Sequence, residues 1–219
     1  MKYLIILALT LMAANVQAQD TIQPYRYSAK VYAHIQYQRD ANPVFSTSQA
    51  LVKPAYAFQM KTAKGNAHEF ELFNFMLNAN KSGSPGNIYK TRATSIVLKY
   101  EYIINMMKKR NSKLAPAIGL GAAPYFYHTR GIPTASSHFP YRNSSFGFSG
   151  LLIPRVTYNV TTRLYLDVNI PITILDMDHR SNKFSDPTLP VAQRTSSLTS
   201  FNMLPSQPFT ARIGLGIRF

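Results

Sequence analysis

The chain ends FTARIGLGIRF, residues 209–219. Taken alternately, Phe209, Ala211, Ile213, Leu215, Ile217 and Phe219 form one set, and Thr210, Arg212, Gly214, Gly216 and Arg218 the other. Successive side chains of a β-strand point to opposite faces, so this strand has one wholly apolar face and one of arginine and glycine. Such a strand separates two media. In a soluble sandwich these are core and water; in a membrane barrel they are lipid and lumen.

The pattern recurs along the chain. Tyr25, Tyr27, Ala29, Val31, Ala33, Ile35 and Tyr37 alternate with Arg26, Ser28, Lys30, Tyr32, His34 and Gln36. Val52, Pro54, Tyr56, Phe58 and Met60 stand against Lys53, Ala55, Ala57, Gln59 and Lys61. HEFELFNFML (68–77) slips phase near Phe73 and Asn74, which predicts a bulge. Ile96, Leu98, Tyr100 and Tyr102 oppose Ser95, Val97, Lys99 and Glu101; Leu114, Ile118, Leu120 and Phe126 oppose alanines and glycines. FGFSGLLIPRVTYNV and TRLYLDVNIPITI supply a sixth and seventh strand, with Arg155, Arg163 and Asp167 on their polar faces. With the last segment there are about eight, an even number as a closed single-chain barrel requires.

The connections alternate in length. DANPVFSTS, NANKSGSPGNIYK, HTRGIPTASSHFPYRN and the stretch 175–208 read as long loops, whereas TAKGN, MKKRNSK and NVTT are short. Short turns at one end and long loops at the other divide periplasm from exterior in outer-membrane barrels, and a soluble sandwich has no reason to sort its loops so.

At the N-terminus, MKYLIILALTLMAANVQA has a lysine, an apolar run and a small-residue site, the layout of a secretory signal peptide over 1–18 with cleavage after Ala18. Residues 19–219 then form one domain. No later apolar run approaches the ~20 residues of a membrane-spanning helix, so a membrane-resident chain must cross as a closed barrel. There are 0 cysteines, which excludes disulfides and thiol chemistry. The formal charge is +15, from 24 Lys+Arg against 9 Asp+Glu. For an exported protein such a surplus favours anionic lipid or lipopolysaccharide over nucleic acid as counter-charge. Metal-type spacing is absent among the five histidines, and no phosphate loop or cofactor motif is present.

Together the export layout, the amphipathic strands, the alternating connections and terminal Phe219 resemble the small bacterial outer-membrane β-barrel proteins of Gram-negative cells. The resemblance implies an all-β fold, a closed antiparallel transmembrane barrel of about eight strands in the cell outer membrane. It also implies that Phe219 is part of the signal read by the barrel-assembly machinery. Two features depart from the usual pattern. Trp is 0, so tyrosine and phenylalanine must supply the interfacial girdle, with Tyr25, Tyr37, Tyr102, Tyr125, Tyr127, Phe146 and Tyr158 near strand ends. Pro54, Pro116, Pro124, Pro154 and Pro171 fall within or near strands, where bulges or shortened ladders are expected.

An eight-stranded barrel is narrow enough for side chains to fill. The inner faces contribute Arg26, Lys30, Lys53, Lys99, Arg155, Arg163 and Arg212, with Glu69, Glu71, Glu101 and Asp167 as partners. Unpaired charge in a confined lumen is costly, so an ionic plug is expected. The excess of base keeps a small anion-selective pore as the alternative, and a soluble periplasmic barrel or sandwich as another. The tetrapeptide His179-Arg180-Ser181-Asn182 resembles the His-x-Ser-Asn element of outer-membrane lipid A deacylases. Carried across, His179 is the base and Ser181 the nucleophile, with Asp178 and Asp186 the nearby acids. The copy falls in what the pattern predicts as a long polar loop. The leading reading is therefore a non-enzymatic barrel without cofactor. Its role is structural or interactive, toward lipopolysaccharide, a surface ligand or a larger outer-membrane complex.

Overall fold

The computed structural model describes residues 25–41, 46–82, 89–107, 112–133, 139–205 and 209–219. The signal segment 1–18 lies outside the described residues, as does the cleavage site.

Ten strand segments are described: β1 (Tyr27–Ala41), β2 (Ser46–Lys61), β3 (Ala67–Ser82), β4 (Tyr89–Asn105), β5 (Leu114–Pro133), β6 (Tyr141–Asn159), β7 (Leu164–Asn169), β8 (Ile172–Phe184), β9 (Thr195–Met203) and β10 (Phe209–Arg218). Neighbours in sequence pair antiparallel from β1 through β7, and β10 pairs both with β7 and with β1. The sheet therefore closes on itself. β8 continues the line of β7 along β6, and β9 pairs with β8 above the point where β10 pairs with β7. The ten segments thus make eight staves, of which the seventh (β7 and β8) is interrupted at 170–171 and the eighth (β9 and β10) after Met203.

The seam lies between the ends of the chain. Ser28 faces Arg218 and the register runs unbroken to Tyr37 opposite Phe209. Past the ladder, Phe219 N donates to Tyr27 O at 3.0 Å and Tyr27 N to Phe219 O at 3.2 Å, with the two rings stacked 6.4 Å apart.

Each proline in the wall sits where a ladder lapses. Pro54 lies one residue beyond the β2–β3 pairing, which ends at Ala55, and Pro116 one beyond the β4–β5 pairing, which ends at Ala117. The β4–β5 ladder skips Leu98 and Lys99 opposite Ala123 and Pro124. Pro154 falls between the β7 and β8 pairings of β6, beside the break that contains Pro171. A residue with no N–H is tolerated where no partner awaits one. The slip near Phe73 is a bulge: the β3–β4 register shifts between Phe73 and Met76, and Asn74 takes a left-handed φ of 56° while its amide donates to Ser95 Oγ at 2.8 Å.

The long loops expected from sequence are a point of correction. β1 and β2 take in the two ends of DANPVFSTS, β3 and β4 those of NANKSGSPGNIYK, and β5 and β6 those of HTRGIPTASSHFPYRN, and 175–203 contributes β8 and β9 instead of a loop. One end of the barrel keeps short turns, 62–66 and 160–163; at the other, the staves extend upward before they connect. There, among the described residues, β9 pairs only with β8.

Candidate functional site

The wall has reversed polarity. Ile213, Leu215 and Ile217 point outward and are 47%, 51% and 53% exposed, while Arg212 and Arg218 on the opposite face are buried. The same alternation holds on β1, where Val31 is exposed and Ser28, Lys30, Tyr32 and His34 are buried, and on β4, with Leu98 and Tyr100 outside and Lys99 and Glu101 within. The buried interior is largely ionic, and the exposed surface of the staves is largely aliphatic and aromatic.

Glu69, on β3, is the centre of the interior. Its carboxylate accepts from Lys30 Nζ at 2.6 Å, from Arg155 Nη1 and Nη2 at 3.1 and 3.2 Å, and from the Tyr32 hydroxyl at 3.2 Å. Lys30 also reaches Asp167 at 2.8 Å, and Arg155 reaches Glu101 at 2.8 Å. Two residues along β3, Glu71 contacts Lys99 at 2.5 Å and Arg212 at 3.1 Å, while His34 Nε2 lies 2.9 Å from its other oxygen. The His34 ring stacks on Phe73 with centroids 4.1 Å apart. Four acids (Glu69, Glu71, Glu101, Asp167) thus meet four bases (Lys30, Lys99, Arg155, Arg212), so the cluster is formally neutral with His34 uncharged. Buried charges are tolerable only when so compensated.

Two tyrosines wall the cluster, and glycines make room for them. Arg212 lies 4.6 Å from the Tyr32 ring centroid and Arg218 lies 4.2 Å from that of Tyr165. A Cβ on Gly214 would overlap the Tyr32 ring, and one on Gly216 would overlap the Tyr165 ring. The small residues of the closing strand thus accommodate facing tyrosines.

The cluster divides the lumen. Below it, toward the short turns, a cavity of about 390 Å³ is bounded by Arg155 of the cluster and lined by Arg26, Lys61, Asn159, Tyr165 and Arg218. Above it, a cavity of about 640 Å³ is lined by His34, Lys99, Glu71 and Arg212 and higher up by Asp176, Asp178 and Arg180. No lining residue is common to both.

Of the residues expected in this network, Lys30, Glu69, Glu71, Lys99, Glu101, Arg155, Asp167 and Arg212 are brought together. Three are not. Arg26 is exposed at the lower rim, with its guanidinium over the Tyr27 ring; Arg163 is exposed in a turn, bonded to the Tyr25 hydroxyl at 2.9 Å; Lys53 lines the upper cavity and, among the described residues, forms no ion pair with the four acids. Tyr32, His34 and Tyr165 were legible only as inner-face positions. Tyr125 and Tyr127, expected in an interfacial girdle, line the upper lumen; Tyr102 and Tyr158 lie on the outward face, and the Tyr37 side chain lies outside the described residues.

The tetrapeptide 179–182 sits on strand β8 and not in a loop. His179 and Ser181 share the outward face: His179 stands opposite Phe146, with rings 5.0 Å apart, and its Nδ1 is 2.8 Å from Thr199 Oγ1. Asp178 points to the opposite face, where it accepts from Ser145 at 2.5 Å and pairs with Arg180, and Asp186 binds Thr188. Among the described residues, neither acid reaches His179 and no hydrogen bond joins His179 to Ser181. The carboxylate that orients an imidazole in a hydrolytic triad is not assembled. No cluster of metal-ligating side chains occurs among the described residues.

A closed antiparallel barrel of eight staves, apolar outside and ionic inside, is the class the fold defines. No family model matches the chain, and no curated protein matches it. Solved structures similar to it are small bacterial outer-membrane barrels. They include a major outer membrane protein from Thermus thermophilus, with 12% identity, 88% of this chain and 99% of that one covered, and a TM-score of 0.46. Neisserial surface protein A has 13% identity, coverage of 88% and 96%, and a TM-score of 0.39. Ail, the attachment invasion locus protein of Yersinia pestis, has 9% identity, coverage of 89% and 99%, and a TM-score of 0.39. The closure described above is read from this chain's own ladders.

Proposed function

We propose that the protein is an integral outer-membrane barrel with a plugged interior. Its role is structural or interactive, exerted through its lipid-facing wall and its extended upper staves. The observation that carries this reading is the reversed polarity. A soluble barrel with Leu215, Ile217, Phe70, Leu98 and Leu120 all on its surface would present an apolar patch far larger than a soluble monomer tolerates. In lipid the same surface is the favourable one, and closure leaves no open edge in the hydrocarbon region.

The neutral cluster around Glu69 favours a plug over an anion pore, because the two cavities are walled from each other by paired side chains. The stacking of Phe219 on Tyr27 at the seam supports reading it as a terminal assembly signal that also completes closure. The test is fractionation of cells followed by gel electrophoresis with and without boiling. Recovery in the outer membrane with heat-dependent mobility is expected; a soluble band of unchanged mobility would overturn the reading. Planar bilayers test the plug, for which no stable conductance steps are expected and anion-preferring steps would refute it.

A further inference from the structure

One feature of the outer wall has no counterpart inside. Arg92 on β4 stands directly opposite Arg130 on β5, Arg130 opposite Arg142 on β6, and Arg142 opposite Lys183 on β8. Partners in an antiparallel ladder point to the same face, and the alternation on each stave puts all four outward. All four are exposed. Like charges directly opposite one another oppose pairing, yet three such pairs follow in succession. Among the described residues, no carboxylate lies in ion-pair distance of any of the four. In the lumen of the same barrel, every base of the Glu69 cluster has its acid.

The row has a definite height. Four residues below it on the same outward faces lie Phe126 and Phe146, both exposed, and between them runs a polar row in which His128 Nδ1 meets Ser144 Oγ at 2.9 Å. Four residues of a tilted strand rise about 10 Å. Moving up the wall, a membrane lipid would therefore meet apolar side chains, then hydroxyl and imidazole, then cations. This is the order of acyl chain, ester and sugar, and phosphate. Across four adjacent staves the row is about 14 Å wide. It lies at the end with the extended staves, which in a barrel with short periplasmic turns is the outer leaflet.

We propose that the outward face of β4, β5, β6 and β8 is a docking site for a phosphate-bearing outer-leaflet lipid of the lipopolysaccharide type. Its phosphates lie on Arg92, Arg130, Arg142 and Lys183, and its acyl chains on the Phe126 and Phe146 row. The proposal rests on the membrane-barrel reading above and deepens it by giving the lipid a place and a polarity. The bound phosphates supply the counter-charge that the chain itself withholds.

The experiment uses the full-length protein reconstituted in phosphatidylcholine nanodiscs, with purified lipopolysaccharide as probe and the same lipopolysaccharide stripped of its lipid A phosphates as control. Removing one base from an anionic surface contact costs about fivefold in affinity, so the double variant Arg130→Gln/Arg142→Gln should bind about 25-fold more weakly. A charge-matched double variant at the opposite rim, Arg26→Gln/Lys64→Gln, the lysine being exposed in the 62–66 turn, should bind like wild type. Dephosphorylated lipopolysaccharide should bind wild type as weakly as intact lipopolysaccharide binds the Arg130/Arg142 variant. Equal binding by both double variants would overturn the site. So would competition by inorganic phosphate at concentrations comparable to the lipid, which would indicate a free-anion site. Heat-dependent gel mobility of each variant separates the two levels. A folded, inserted barrel with unchanged binding refutes the lipid site alone, whereas a protein that never inserts refutes the membrane-barrel reading beneath it.

Discussion

Replacing Glu69 with glutamine keeps the shape of the side chain and removes one charge from the middle of the barrel. Glu69 is fully buried and receives Lys30 at 2.6 Å and both terminal nitrogens of Arg155, with Lys99 and Arg212 each 3.8 Å away. The substitution leaves three acids facing four bases in a site that water does not reach. Breaking a buried ion pair by removing one partner costs about 3–5 kcal/mol, because the remaining charge is stranded. Glu69→Gln should fall near the lower end of that range, since the amide oxygen still accepts one hydrogen bond. Lys30→Met should cost a similar amount, because it leaves four acids against three bases, with Glu69 and Asp167 sharing Arg155. The double variant Glu69→Gln/Lys30→Met restores three acids against three bases. It should lose less than the sum of the single variants, by about 2 kcal/mol or more. Guanidinium unfolding in detergent, followed by far-ultraviolet circular dichroism and by the unboiled gel band, measures all three; tryptophan emission is not an option in a chain with 0 Trp. Single variants within about 0.5 kcal/mol of wild type, the noise of such measurements, or a double variant equal to the sum, would refute the charge-balance reasoning.

Gly214→Ala should destabilise the barrel by about 1–3 kcal/mol, because the new methyl meets the Tyr32 ring; the same unfolding assay should find Ala211→Gly, on the lipid face of that strand, much milder. Deleting Phe219 should reduce the fraction of protein reaching the outer membrane in cells while the same variant refolds in detergent in vitro; equal defects in both would make Phe219 a seam residue only. His179→Ala should leave lipid A acylation in cells unchanged, as judged by mass spectrometry of extracted lipid A. A deacylated species that disappears with the substitution would restore the hydrolase reading.

Much of the wall was legible because lipid imposes one medium on every outward position. The alternation in residues 94–104 and 209–219, the bulge at Phe73 and Asn74 and the seam between the chain ends all follow from period-two patterning. Above the apolar belt both faces of a stave meet polar surroundings, and the signal vanishes. That is why NANKS, HTRGIP and TSSLTSF read as loops although they extend strands, and why His179 reads as a loop residue although it lies on β8. Alternation also overreached at the lower rim. Arg26 and Arg163 keep the phase of the inner face, but each lies outside the strands, so neither enters the cluster. The composition hid the neutrality of the plug: 4 of the chain's 9 acids gather around 4 of its 24 bases, and the surplus lies elsewhere. No periodicity distinguishes a glycine that makes room for an arginine from one that makes room for a tyrosine, which is a matter of which stave lies alongside.

A chain with no native cysteine permits the most direct measurement of the central claim, that the two faces of the closing strand meet lipid and an ionic lumen. Single cysteines at Ile213, Leu215 and Ile217, each carrying a nitroxide in reconstituted vesicles, report collision with oxygen, which concentrates in lipid, and with a water-soluble nickel chelate. A lipid-facing row should give high oxygen and low chelate accessibility at all three, deepest at Leu215. Chelate accessibility equal to that of a label at exposed Val191, beyond the barrel wall, would contradict it.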